Sequence, residues 1–101
     1  MTKETRTLLK AKVKEVVEEA YRNYYLVRNT SVRREPAMTV TMVLESLPSM
    51  DRDFTYKPKK RQYLAVWSAL EWHRKNGTLS SSIGEGLNGR EARCYEPVGI
   101  V

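Results

Sequence analysis

The sequence holds one cysteine, one histidine and one phenylalanine in 101 residues, and each scarcity closes off a class of chemistry. A lone Cys94 makes no internal disulfide and suits a reducing compartment. With only His73 beside it, the chain cannot supply the nitrogen and sulfur ligands of a protein-only zinc site. A nucleophilic pair of His73 and Cys94 would lack any visible group to orient the imidazole. Gly84, Gly86 and Gly89 fall at GxGxxG spacing but do not read as a phosphate-binding loop or a P-loop, and no Gly-Lys-Ser/Thr follows them. The paired carboxylates Glu18 and Glu19 fall on the wet face of a helical pattern and read as solvated. No apolar run approaches the roughly 20 residues that span a bilayer. The opening Met-Thr-Lys-Glu is not followed by the apolar stretch of a signal peptide. The expectation is an intracellular, cytoplasmic chain that is not an enzyme, with no cofactor, metal, membrane or small-molecule substrate.

What the chain does have is positive charge, +6 overall from 18 basic and 12 acidic residues. The charge is unevenly placed. Residues 1–30 carry +3, residues 31–50 balance, residues 51–76 carry +4 and residues 77–101 carry −1. A field of this kind speaks to partners rather than to fold, and nucleic acid is the common polyanionic partner of a small basic chain. At this length the chain is one domain over 1–101 with one modest core. That marginal stability, together with an exposed Trp72, makes a homodimer a reasonable expectation.

Residues 3–28 form a long amphipathic helix pattern. Leu9, Val13, Val16, Val17, Ala20, Tyr24 and Val27 recur at i, i+3, i+4 spacing. Thr2 is placed to cap it, and Asn29-Thr30-Ser31 to end it. Lys14–Glu18 and Glu18–Arg22 are opposite-charge i, i+4 pairs, while Arg6, Lys10 and Lys14 form a like-charge row that an anion would relieve. Tyr21, Tyr24 and Tyr25 cluster near the helix end and read as packing at the core boundary. Residues 32–37 are a polar connector. Residues 38–47 fit a helix face and a strand face equally: their Thr-Val-Thr content favours strand, and Pro36 at a first turn favours helix. The balance leans to helix. Residues 48–53 read as a turn-rich linker.

The second long helix is expected over 58–76, with Pro58 in its first turn and Tyr63, Val66, Trp67 and Leu70 as its buried stripe. Trp72 lies off that stripe. Asn76-Gly77 is its stop, because glycine takes the left-handed cap conformation cheaply. Beyond it, Asn88-Gly89 is the favoured hairpin dipeptide and would join strands over 79–86 and 90–96. Ser82-Ile-Gly-Glu85 matches a capping box and gives a competing helical reading. The last residues, 97–101, are a tail. The expected fold is mainly α, a small α+β domain. It has two long amphipathic helices, a third short element and a C-terminal β-hairpin, in a layout similar to a winged helix. The alternative is a helix-turn-helix whose recognition helix is 80–88.

The densest cationic run, Lys57-Pro-Lys-Lys-Arg61, sits at the mouth of the second helix. Cations at a helix N-terminus are mildly unfavourable to the dipole, so a partner anion is a natural reason for them. Lys57, Lys59, Lys60 and Arg61 are the first candidates to neutralise phosphates, with Phe54, Tyr56 and Tyr63 alongside to stack on bases. Lys10, Lys14, Arg33 and Arg34 would support them, and Arg90 and Arg93 would touch the backbone from the hairpin. His73 reads as structural or surface. The function expected is that of a non-enzymatic, DNA-binding small regulator, of the type found in phages and mobile elements. The alternative is a protein-interaction module, an adaptor or inhibitor, acting through its amphipathic helices.

Overall fold

The computed structural model describes residues 1–26, 37–85 and 90–98. Their order is α1 (Lys3–Leu26), β1 (Met38–Thr39), α2 (Val40–Ser46), α3 (Arg52–Thr55), α4 (Lys59–Lys75), β2 (Leu79–Glu85) and β3 (Glu91–Pro97). This is a small α+β fold: two long helices, two short ones, and an antiparallel β2–β3 hairpin within a three-stranded sheet. No helix among the described residues is long and apolar enough to cross a membrane.

Thr2 caps α1 as expected: its hydroxyl accepts the Thr5 N–H at 3.1 Å. Thr5, Leu9, Val13, Val16 and Val17 then run down one side of the helix and are all buried. The start of α1 is also tied to α3. The Thr5 hydroxyl donates to Asp51 Oδ2 and the Thr2 N–H to Asp53 Oδ2, both at 2.7 Å. Asp51 meanwhile caps α3 by accepting the Phe54 N–H at 3.2 Å. The linker expected at 48–53 therefore gives way at Asp51 to a short helix, whose Phe54 is buried in the core.

The ambiguity at 38–47 resolves into both readings in succession. Thr39 has extended dihedrals that serve a strand, and the same geometry is that of an N-cap, so its hydroxyl accepts from Met42 N–H at 3.2 Å and starts α2. The lean to a continuous helix was too simple because β1 is two residues long, and its partner lies far away in sequence. Met38 pairs with Tyr95 and Thr39 with Cys94. β3 is the central strand of the order β1-β3-β2, and β2 meets it from Leu79↔Pro97 to Glu85↔Glu91. A strand at 79–85 overturns both the capping-box reading at Ser82 and the recognition helix at 80–88; three serines and a glycine in that segment are poor helix formers.

α4 buries Val66, Ala69, Leu70 and His73. Its stripe is rotated from the one expected: Val66 and Leu70 are in the core, but Tyr63 and Trp67 are 41% and 44% exposed. Small Ala69 and hydrogen-bonded His73 take the place of the large aromatics, because α1 approaches closely on that side. The helix ends on Asn76, followed by Gly77 at φ 75°, with the Thr78 N–H donating to His73 O at 3.0 Å. The sheet closes the core with Tyr95, fully buried, whose hydroxyl donates to Glu71 of α4 at 2.7 Å. The connector with Pro36, the helix end at 27–31, the Asn88-Gly89 turn, the end of the tail and the side chains of Tyr24 and Tyr25 lie outside the described residues.

Candidate nucleic-acid interface

Lys59, Lys60 and Arg61 form the first turn of α4 and are all exposed. Pro58 precedes them with no side-chain cap; instead Gln62 reaches back to the carbonyls of Phe54 and Thr55, each at 3.2 Å. The turn is thereby held by a neutral amide and its cations point outward. Among the described residues none of these three makes an ion pair. Lys57 differs. It is half-buried and pairs with Asp53 at 3.5 Å. The Asp53 carboxyl is held below the usual carboxylate range, chiefly by the Thr2 N–H, with the Lys57 ammonium adding to it. Lys57 thus belongs to the α1–α3 tether rather than to the open cluster.

Two rows of side chains extend from this cluster along α4. Tyr63, Trp67 and Glu71 lie four apart on the flank from which Glu71 meets Tyr95 of β3. Glu71 is neutralised locally by a forked contact with Arg74, at 2.9 to 3.1 Å. The Arg74 guanidinium holds its carboxyl below the usual range, helped by the Tyr95 hydroxyl and by the nearby positive charges of Arg74 and Arg93. Leu64, Ser68 and Trp72 form the second row, on the flank toward α1, where the Lys10 ammonium lies 4.4 Å from the centre of the Trp72 ring.

On the hairpin, Arg93 is exposed and donates to Ser81 Oγ at 3.0 Å across the β2–β3 ladder. Arg90 is exposed just before β3 and is engaged by a contact of its own. The remaining candidates are scattered. Lys14 is committed to Glu18 at 3.0 Å, Lys10 sits over Trp72, and Arg33 and Arg34 lie outside the described residues. Phe54 is buried and unavailable for stacking, so the exposed aromatics nearest the cluster are Tyr56, Tyr63 and Trp67.

His73 and Cys94 are both buried. The imidazole is 4% exposed and spends both nitrogens, on Lys10 O and on Thr78 Oγ1. Cys94 is buried, with its Sγ 3.6 Å from Ala92 O. Among the described residues no three His, Cys, Asp or Glu side chains could hold a metal. Trp67 was missed as a surface residue by periodicity alone. Its one available signal was Glu71, four residues on, because a carboxylate in the same row marks a flank that is not fully buried. No family model, curated protein or solved structure matches the chain.

Proposed function

We propose that the chain is a non-enzymatic nucleic-acid-binding regulator that meets duplex DNA with α4 and the β2–β3 hairpin. The observation that carries this reading is the outward cluster of Lys59, Lys60 and Arg61 at one end of a helix flank bearing exposed Tyr63 and Trp67. Three cations fixed on a rigid element neutralise phosphates and release counterions. The two aromatics supply flat apolar surface for sugars or base faces. The element order also supports it: the hairpin follows the second long helix directly and carries Arg93 beside it, as a winged helix would present a wing. This last support is an analogy of fold, weaker than the cluster itself. The exposed Leu64 and Trp67 favour a second reading, contact with another protein, because large apolar side chains grouped on a surface mark interfaces.

The deciding experiment is fluorescence anisotropy on duplex DNA, single strands and RNA at several salt concentrations. The K59A/K60A/R61A variant is expected to fold normally, since surface changes stay within about 0.5 kcal/mol each. Its affinity should fall alike for all sequences, and its salt slope should flatten by roughly one unit per lost phosphate contact. R93A is expected to weaken binding with little change in melting temperature. Wild-type protein showing no salt-dependent binding to any of the three nucleic acids overturns the reading in favour of the protein-contact one.

A further inference from the structure

A groove of about 450 Å³ runs between the first turns of α1 and the second flank of α4. Its wall is apolar, made by Leu64, Ala65 and Trp72 from α4 and Leu9 from α1, and it is open to solvent along one side. The charged side chains that line it are Arg6 and Lys10, one turn apart on α1, and no described acidic side chain joins them. Neither makes an ion pair among the described residues. Leu64 is 50% exposed and Trp72 42% exposed, although both are held on a helix that is otherwise well packed.

We propose that this groove is a docking site for an acidic amphipathic segment of another protein, separate from the nucleic-acid surface. Leu64 and Trp72 stand eight residues apart on one flank with only the small Ser68 between them, so their apolar side chains are spaced for one face of a short helix. The cations on the α1 rim match acidic residues flanking that apolar face, and charge complementarity of this kind sets partner choice. The rim is also fixed before binding. Lys10 is held at its main chain by His73 and at its ammonium by Trp72, so little side-chain freedom is lost on docking.

The other occupants fit less well. A second copy meeting groove to groove would set Arg6 and Lys10 against the same residues of its partner, because a two-fold interface repeats each patch on both sides. A small molecule would remain wet along the open side, whereas small-molecule sites bury most of their ligand. A nucleic-acid backbone would satisfy the cations but leave the Leu64 track in water.

The test uses full-length protein and two fluorescein-labelled amphipathic peptides. Both carry Leu and Phe on one face; one has Glu at the flanking positions and the other Lys. Anisotropy titration is expected to show the Glu peptide binding at least on the order of tenfold more tightly than the Lys peptide. The R6E/K10E variant is expected to invert that preference, while duplex DNA binding through residues 59–61 falls far less than in K59A/K60A/R61A. Leu64→Ser, at an exposed position, gives a second variant with intact charge and is expected to weaken both peptides. No binding of the Glu peptide, or equal binding of the two, overturns the proposal. R6E/K10E losing DNA binding as severely as K59A/K60A/R61A overturns it too and assigns the rim to nucleic acid. Sedimentation as a dimer that L64S dissociates overturns it in favour of a second copy.

Discussion

His73 of α4 holds Lys10 of α1 through a main-chain atom: its Nε2 lies 2.7 Å from the Lys10 carbonyl oxygen. A carbonyl only accepts, so Nε2 carries the hydrogen. Nδ1 then faces the Thr78 hydroxyl at 2.7 Å, whose one proton is divided between Nδ1 and the His73 carbonyl oxygen 3.1 Å away. One imidazole thus joins both long helices and the residue that leads into β2. The Lys10 side chain lies outside this bond and turns instead across the Trp72 face.

Removing the imidazole leaves a cavity and a polar group without its partner. His73→Ala is expected to cost about 2–3 kcal/mol. Lys10→Ala keeps the main-chain bond and loses only a half-exposed cation–π contact, so it is expected to cost less than about 1 kcal/mol. Urea denaturation of the two variants checks the contrast.

Trp67 and Leu70 stand one turn apart and should behave oppositely. Leu70 is fully buried and Trp67 is 44% exposed. Leu70→Ala is expected to cost about 2–5 kcal/mol, and Trp67→Ala about 1 kcal/mol or less. Trp67→Ala should instead lower affinity for nucleic acid. Melting curves paired with anisotropy separate the two effects.

The Glu71–Tyr95 bond gives stability limits at both ends of the pH scale. Arg74 and the Tyr95 hydroxyl lower the Glu71 pKa, so its contribution is present above the ordinary glutamate range and lost as pH falls through the lowered value. Burial, then the bond to Glu71, pushes the Tyr95 hydroxyl well above the usual tyrosine range. Its contribution is present below about pH 10 and lost as pH rises toward the raised value. Urea midpoints measured across pH should show Glu71→Gln removing part of the acid-side slope and Tyr95→Phe removing part of the alkaline loss.

Gly77 adopts φ 75°, and a Cβ built there meets nothing within 4 Å. The cost of Gly77→Ala is therefore backbone strain alone, about 1 kcal/mol. Asn tolerates this conformation better, so Gly77→Asn is expected to melt between Gly77→Ala and wild type.

Lys57 is separated from its neighbours by Asp53. Lys57→Ala is expected to flatten the salt slope of nucleic-acid binding less than Lys60→Ala does. Equal effects of the two substitutions in parallel titrations would return Lys57 to the phosphate-contacting set.

The long helices and the hairpin were legible because their signals are local. The Leu9–Val13–Val17 spacing, the Asn76-Gly77 stop and the Asn88-Gly89 dipeptide between two short strands each lie within one window. What escaped depends on partners distant in sequence. Two residues of β1 are a strand only because Tyr95 and Cys94 lie beside them, and α3 forms where Asp51 can serve both Phe54 and Thr5. At the candidate site, clustering of Lys59, Lys60 and Arg61 was readable as composition. The withdrawal of Lys57 and Phe54 was not, since Asp53 and the core claim them through tertiary contacts.

β3 is flanked by a strand on each side, and its Tyr95 closes the core beneath both long helices. During synthesis this has a consequence in time. A nascent chain arrested before Glu91 holds every described helix, yet β1 and β2 have no strand to pair with. The ladder and the seal over the core then form together when residues 91–97 leave the ribosome. Until that moment the unfinished chain carries unpaired strand edges, the feature that makes incomplete folds prone to associate.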